Sequence, residues 1–175
     1  MATTAAGTPY VESSDLVANY PGVSLALANH IDGLGGGKVL QVVHGSTSTQ
    51  VISTATTMVD TNLTATITPS SATSRILVLF FQNGCDKSSP GTLTSMRLRL
   101  MRDATNVGQF AYFAGWTSTS SELKFANLSG SELDLPNTTS AVVYKTQFAN
   151  EVAGSGQISV NNNAKSSITL MEISA

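Results

Sequence analysis

The chain has one cysteine, Cys85, in 175 residues, which excludes an internal disulfide framework. Histidine is almost as scarce. His30 and His44 are the only two, on different segments, and neither has a Cys or carboxylate cluster beside it at metal-ligand spacing. No zinc site is expected within one chain, although copies of one histidine meeting on a symmetry axis could still hold a metal. Charged residues make up 11% of the chain, against roughly 25% in ordinary globular proteins. The net charge is −2 and no Lys/Arg block exists, the closest grouping being Arg97, Arg99 and Arg102. Neutralising phosphates takes a basic stripe, so nucleic acid is not an expected partner. No run of about 18 apolar residues is present, so no helical membrane span is expected. The first residues also lack the basic and apolar regions of a secretion signal.

The usual signs of catalysis are missing as well. No G-x-S-x-G elbow occurs. Cys85 lies in a predicted loop without a visible base and reads as a small loop-end hydrophobe. Glu122, Glu132 and Asp134 are close in sequence but read as solvated loop carboxylates rather than a glycosidase pair. Gly33 to Gly37 is glycine-rich, yet no strand precedes it and the Lys-Ser/Thr ending of a phosphate-binding loop is absent. The expectation is a protein that is not an enzyme, with no cofactor and no metal.

What the chain does have is Ser and Thr, about a quarter of all residues, and a hydrophobic fraction of 41%. That is enough apolar material for one domain with a core and a short appendage. The neutral polar surface is of the kind found on extracellular and virion β-structures, where Thr also favours the pleated backbone. It gives little charge repulsion to keep a lone monomer apart.

The local pattern changes at Gly35-Gly36-Gly37. Before it, Pro21 fits the first turn of a helix and Gly33 its C-terminal cap. Tyr20, Val23, Leu27, Ile31 and Leu34 are spaced by three, four, four and three, which lines them on one helical stripe. A helix of about three turns is marginal alone in water and needs something to pack on. The three glycines uncouple it from the rest of the chain, so it reads as an anchor for sister copies or another protein. The expected domains are therefore 1–37, a helical anchor with a glycine hinge at Gly35, Gly36 and Gly37, and 38–175, a β module.

That module predicts strands at Lys38–His44, Gln50–Thr57, Asn62–Thr68, Arg75–Phe81, Leu93–Met101, Gln109–Trp116, Glu122–Ala126, Thr139–Phe148, Gln157–Asn161 and Ser167–Ile173. Asp103 to Asn106 reads as a hairpin turn, and Cys85 to Gly91 as a loop after Asn83-Gly84. Leu63, Ala65 and Ile67 alternate with Thr64, Thr66 and Thr68, a half-buried pattern. Arg75–Phe81, the most apolar run, reads as fully buried. Lys38–His44 is apolar on both sides, which suits an interior strand or one at a subunit contact. The strand spacing predicts an all-β fold, an antiparallel β-sandwich that is jelly-roll-like, preceded by the helical anchor.

Two side-chain groups stand out on this frame. Arg97 and Arg99 share one strand face, suited to an anionic sugar or partner carboxylate, or to plain pairing with Glu122, Asp134 or Glu172. Tyr112, Phe113 and Trp116 end a strand beside the polar segment 117–121. Aromatic faces stack on sugar rings, so Tyr112 and Trp116 are candidate receptor contacts, with Phe113 assigned to the core.

Thr8-Pro9-Tyr10, Ser14-Asp15-Leu16-Val17, Tyr20-Pro21, Ala26-Leu27-Ala28 and Ile31-Asp32-Gly33 resemble the N-terminal segment of many tailed-bacteriophage fibre and appendage proteins. The stretch from Gly37 to Val43 is similar to the opening of a β domain recurrent in phage virion proteins. Further echoes are Ile67 to Ser71, Ser74 to Val78, Arg97 to Asp103, Thr138 to Ala141 and Ile168 to Ile173. The resemblance implies a virion structural protein at the virion surface, usually a homotrimer. Its leader would dock on other virion proteins and its β module would face outward, toward host-surface glycan. Long fibres add repeats or a shaft, and this chain has neither. A short tail fibre or spike is thus the implied function, with a capsid decoration or cement protein as the alternative.

Overall fold

Apolar side chains recur at every second position through residues 39–173, and a strand that is oily on one side needs a second layer to cover it. A computed structural model describes residues 2–3, 9–10, 24–27, 29, 37–88, 93–117 and 123–175. The chain divides into two compact units, Met1–Lys38 with Ser174–Ala175, and Val39–Ile173. In the first, β1 (Ala2–Thr3) pairs antiparallel with β2 (Pro9–Tyr10). Residues 24–27 and 29 are helical, and Leu27 is half-buried. Tyr20, Val23, Ile31, Leu34, Gly35, Gly36 and His30 lie outside the described residues. Gly37 has φ +81°, and its N–H donates to the Ser174 carbonyl at 3.2 Å, while the Ser174 N–H donates to the Lys38 carbonyl at 2.9 Å.

The second unit is an antiparallel β-sandwich. Its strands are β3 (Val39–Thr47), β4 (Val51–Ser53), β5 (Val59–Ile67), β6 (Arg75–Ser88), β7 (Met96–Arg102), β8 (Thr105–Ala114), β9 (Leu123–Asp134), β10 (Val142–Asn150), β11 (Gln157–Val160) and β12 (Ser166–Ile173). One sheet has four strands in the order β5-β10-β7-β8. The other has six: β3, β12, β6, β11 and β4 in order, with β9 on the far side of β6. Between them lies the core, drawn from both layers: Leu63 and Ile67, Val78 and Phe80, Leu98 and Leu100, Tyr144 and Phe148, Ile168 and Leu170. Burying each such side chain stabilises the fold by about 1.5–3 kcal/mol.

The alternation expected at Leu63, Ala65 and Ile67 is present, with those residues buried, and Met96, Leu98 and Leu100 on β7 and Ile168 and Leu170 on β12 are buried in the same alternating way. Asp103, at φ +49°, makes the hairpin turn between β7 and β8. Three expectations need correction. Arg75–Phe81 is not fully buried: Ile76, Val78 and Phe80 face the core, but Leu77 and Leu79 are partly exposed and Phe81 is 52% exposed. Of the two options for Lys38–His44, the interior one does not hold: among the described residues β3 pairs only with β12, at the edge of its sheet. Asn83-Gly84 is not a turn into a loop: β6 runs through it to Ser88, and Cys85 lies in the strand as a buried core residue. Gly84, at φ +58°, forms a bulge in the pairing with β9, and a Cβ there would lie 2.5 Å from the Asn162 backbone.

Polar groups tie the layers together. Arg102 on β7 donates to Asp134 on β9 at 2.5 Å, and the Tyr144 hydroxyl donates to the same oxygen at 2.7 Å. Burial first, and then the bond to Asp134, push the Tyr144 phenol far above its ordinary range. Deeper in, the Gln82 amide donates to Asn161 at 2.6 Å and Ser166 at 3.0 Å, and accepts from Thr146 on the opposite sheet at 2.8 Å. All four side chains are buried.

Candidate functional site

The outer faces of the sandwich differ in chemistry. On the four-stranded sheet, Asp60 accepts from Lys145 at 2.8 Å and Gln147 at 2.6 Å, and Arg99 makes a fork to Gln147 Oε1 at 2.7 and 3.0 Å. Burial raises the Asp60 pKa, but the bonds from Lys145 and Gln147 and the Lys145 charge outweigh it and hold the carboxyl below its ordinary range. Arg97 pairs with Glu151 at 2.7 Å and donates to the Thr56 carbonyl at 2.7 Å. The two arginines are thus occupied, and not by the expected acids. Asp134 goes to Arg102, Glu172 faces inward, and Glu122 lies outside the described residues.

The outer face of the six-stranded sheet carries one wholly apolar row, rows that mix apolar residues with Ser, Thr and His, and the charged side chains of Asp86 and Lys124 toward β11. Val42 on β3, Met171 on β12, Leu77 on β6 and Leu133 on β9 stand directly opposite one another in a row across four strands. Val42 is 57% exposed. The next rows are His44–Thr169–Leu79–Ser131 and Ser46–Ser167–Phe81–Ser129. On the other side, Ile173 lies opposite both Val39 and Arg75, and a bulge leaves Val39 and Leu40 both exposed.

The aromatic group sits at the β8 end of the four-stranded sheet, where among the described residues β8 pairs only with β7 and the register shifts repeatedly. Tyr112 is 62% exposed, Trp116 49% and Phe113 43%. Phe113 is therefore not a core residue, contrary to expectation. Its φ of +53° breaks the strand alternation, so Tyr112 and Phe113 are both exposed although adjacent. Their rings meet edge to face at 4.6 Å. Gly115, at φ +73°, and a bond from the Trp116 N–H to the Phe113 carbonyl at 3.2 Å complete the turn. A bulky residue at positive φ costs on the order of 1–3 kcal/mol and persists where surrounding structure holds it. Lys87, buried at the end of β6, donates to Thr117 Oγ1 at 2.6 Å and steadies the residue after Trp116. Burial alone lowers the Lys87 pKa.

The remaining candidates are plainer. His44 is exposed and shares a hydrogen bond with Thr169 at 3.1 Å. Among the described residues, no group of three His, Cys, Asp or Glu side chains is placed to hold a metal ion. Burial pushes the Cys85 thiol up to about 12, so it is no nucleophile at neutral pH. A shallow depression is lined by Asp86, Lys124, Asn127, Asn162 and Asn163, where Asp86 already accepts from Ser159 and Asn162.

No family model matches the chain, and no curated protein matches it. Among solved structures, it is similar to the VP2 subviral particle protein of infectious bursal disease virus, at 12% identity and a TM-score of 0.44. The match covers 78% of this chain and 34% of that one, so the chain spans about a third of that protein's length.

Proposed function

We propose that this protein is a virion structural appendage, a short trimeric tail fibre or spike. It attaches through its first 37 residues and presents the sandwich to the host surface. The observation that carries the reading is the aromatic edge. Three aromatic side chains stand open to solvent on a turn held by Lys87–Thr117, one of them at a backbone angle that its residue type disfavours. Flat exposed rings on a stiff scaffold suit stacking on sugars, and Tyr and Trp lose little conformational entropy on binding. The neutral Ser/Thr surface and the resemblance of the leader to phage appendage segments support the same reading. The exposed apolar row Val42–Met171–Leu77–Leu133 also fits a decoration or cement protein seated among other subunits, and this is the second reading.

The test uses the full chain on susceptible host cells. The protein binds them and competes with infection. Tyr112→Ala and Trp116→Ala each weaken binding about tenfold or more, while stability moves by less than about 0.5 kcal/mol because both rings are exposed. A folded protein that does not bind cells, together with particles that lose thermal stability when it is missing, replaces the adhesin reading with the cement one.

A further inference from the structure

Two depressions on the surface of the sandwich differ in how their polar groups are used. The one on the four-stranded sheet is lined by Asp60, Asn62, Thr64 and Lys145. Its charges answer each other: Lys145 donates to Asp60 at 2.8 Å, and the Thr64 hydroxyl donates to the Tyr144 carbonyl at 3.1 Å. The depression beside the Gly84 bulge is left more open. It has a volume of about 310 Å³, and Asp86, Lys124, Asn127, Asn162 and Asn163 converge on it. Asp86 and Lys124 stand directly opposite on β6 and β9, yet among the described residues no ion pair joins them. Asp86 instead accepts from Ser159 on β11 and from Asn162, and Asn163 Nδ2 donates to Asn162 Oδ1 at 3.1 Å. These bonds fix a carboxylate and two carboxamides in place. Lys124 and Asn127 are exposed, and their side chains have no partner among the described residues.

We propose that this depression binds one neutral saccharide residue through its hydroxyls. The inference rests on the adhesin reading for the source of the sugar, and it adds a site to that reading. The chemistry follows from the groups present. A ring hydroxyl both donates and accepts, and a carboxamide does the same from adjacent atoms, so one Asn matches two neighbouring hydroxyls. Each Asp86 oxygen has two acceptor positions and one donor bound, which leaves a position for a ligand hydroxyl. The Lys124 ammonium can only donate, to a hydroxyl or ring oxygen. One carboxylate and one ammonium balance, so the site does not call for a charged ligand. Its volume is at the small end of the range for ligand pockets, which suits a single residue of a glycan. Position supports the same class. Phe125, between Lys124 and Asn127 on β9, packs inward and lies against Gly115 of the aromatic turn, where a Cβ would come within 2.5 Å of its ring. The depression and the aromatic turn therefore share the first residues of β9, within reach of one glycan.

The experiment measures saturation-transfer NMR from the full-length chain to a panel of neutral methyl hexosides and N-acetylhexosamines at millimolar concentration. At least one is expected to bind. Asn127→Ala removes an exposed side chain that holds nothing else, so the fold tolerates it. It is expected to weaken that binding about tenfold, the loss of one or two hydrogen bonds. Asp86→Asn keeps the shape of the side chain and is expected to weaken binding at least as much. Sodium acetate at the same concentration is expected to leave the sugar bound. Displacement by acetate would make the depression an anion site at Lys124 and overturn the proposal. Binding of no member of the panel overturns it as well. So does binding that both depression variants leave unchanged, and its loss with Tyr112→Ala would then put the sugar on the aromatic edge. All three results leave the adhesin reading standing, because that reading is tested by attachment to cells and not by free sugars.

Discussion

Glu172 shows how this chain handles charge with few ions at its disposal. The residue is buried on β12, and among the described residues no Lys or Arg forms an ion pair with it. Burial works to raise its pKa, but Gln41, the Ser70 hydroxyl and N–H, and Ser74 hydrogen-bond the ionised form and hold the carboxyl down at about 2. The bond from Gln41 is 2.6 Å, and those from Ser70 are 2.6 and 2.7 Å. These contacts fasten the β5–β6 turn onto β12. The folded pKa lies below the unfolded value of about 4.3, so the stability this group supplies is complete above that value. It is lost as pH falls from there through 2. Glu172→Gln is expected to flatten the acid limb of a stability–pH curve between about pH 5 and pH 2, and to cost about 1–3 kcal/mol at neutral pH. Chemical denaturation at stepped pH measures both. An unchanged acid limb would mean that the carboxylate is not ionised in the fold.

Among the elements, β6 carries most of the organisation. It pairs with β12 and β11 along one edge and with β9 along the other, and it sends Gln82 across the core to Thr146. Gln82→Leu leaves Asn161, Ser166 and Thr146 short of a buried partner. The expected cost is about 2–4 kcal/mol in urea unfolding with an unchanged slope, and a cost under 1 kcal/mol would show that the network reforms without it. This strand is also where the sequence is hardest to read. A glycine at positive φ serves a tight turn and a bulge equally well, and only pairing with β9 and β11 decides between them at Asn83-Gly84. Likewise Ser129-Gly130-Ser131 has a loop's composition but lies within β9, where Gly130 makes room for the rings of Phe80 and Phe110. Alternation at β5, β7 and β12 was legible because each buries one whole face. The exposed position of Phe113 was not, since it depends on a backbone angle, and the partners of Arg97 and Arg99 lie about fifty residues away or across the sheet.

At the scale of the whole molecule, the sandwich has one face dominated by charged, hydrogen-bonded side chains, one face crossed by an apolar row, and one aromatic edge. In the proposed appendage, attachment falls to the first 37 residues, of which the amphipathic set Tyr20, Val23, Leu27, Ile31 and Leu34 is the expected contact. The most direct measurement labels intact, purified particles with an antibody raised against this chain and locates the label by electron microscopy. The expected result is label on the particle surface, retained by chains carrying Tyr112→Ala and lost when residues 1–36 are deleted. Purified particles that contain none of this protein would contradict the virion assignment itself.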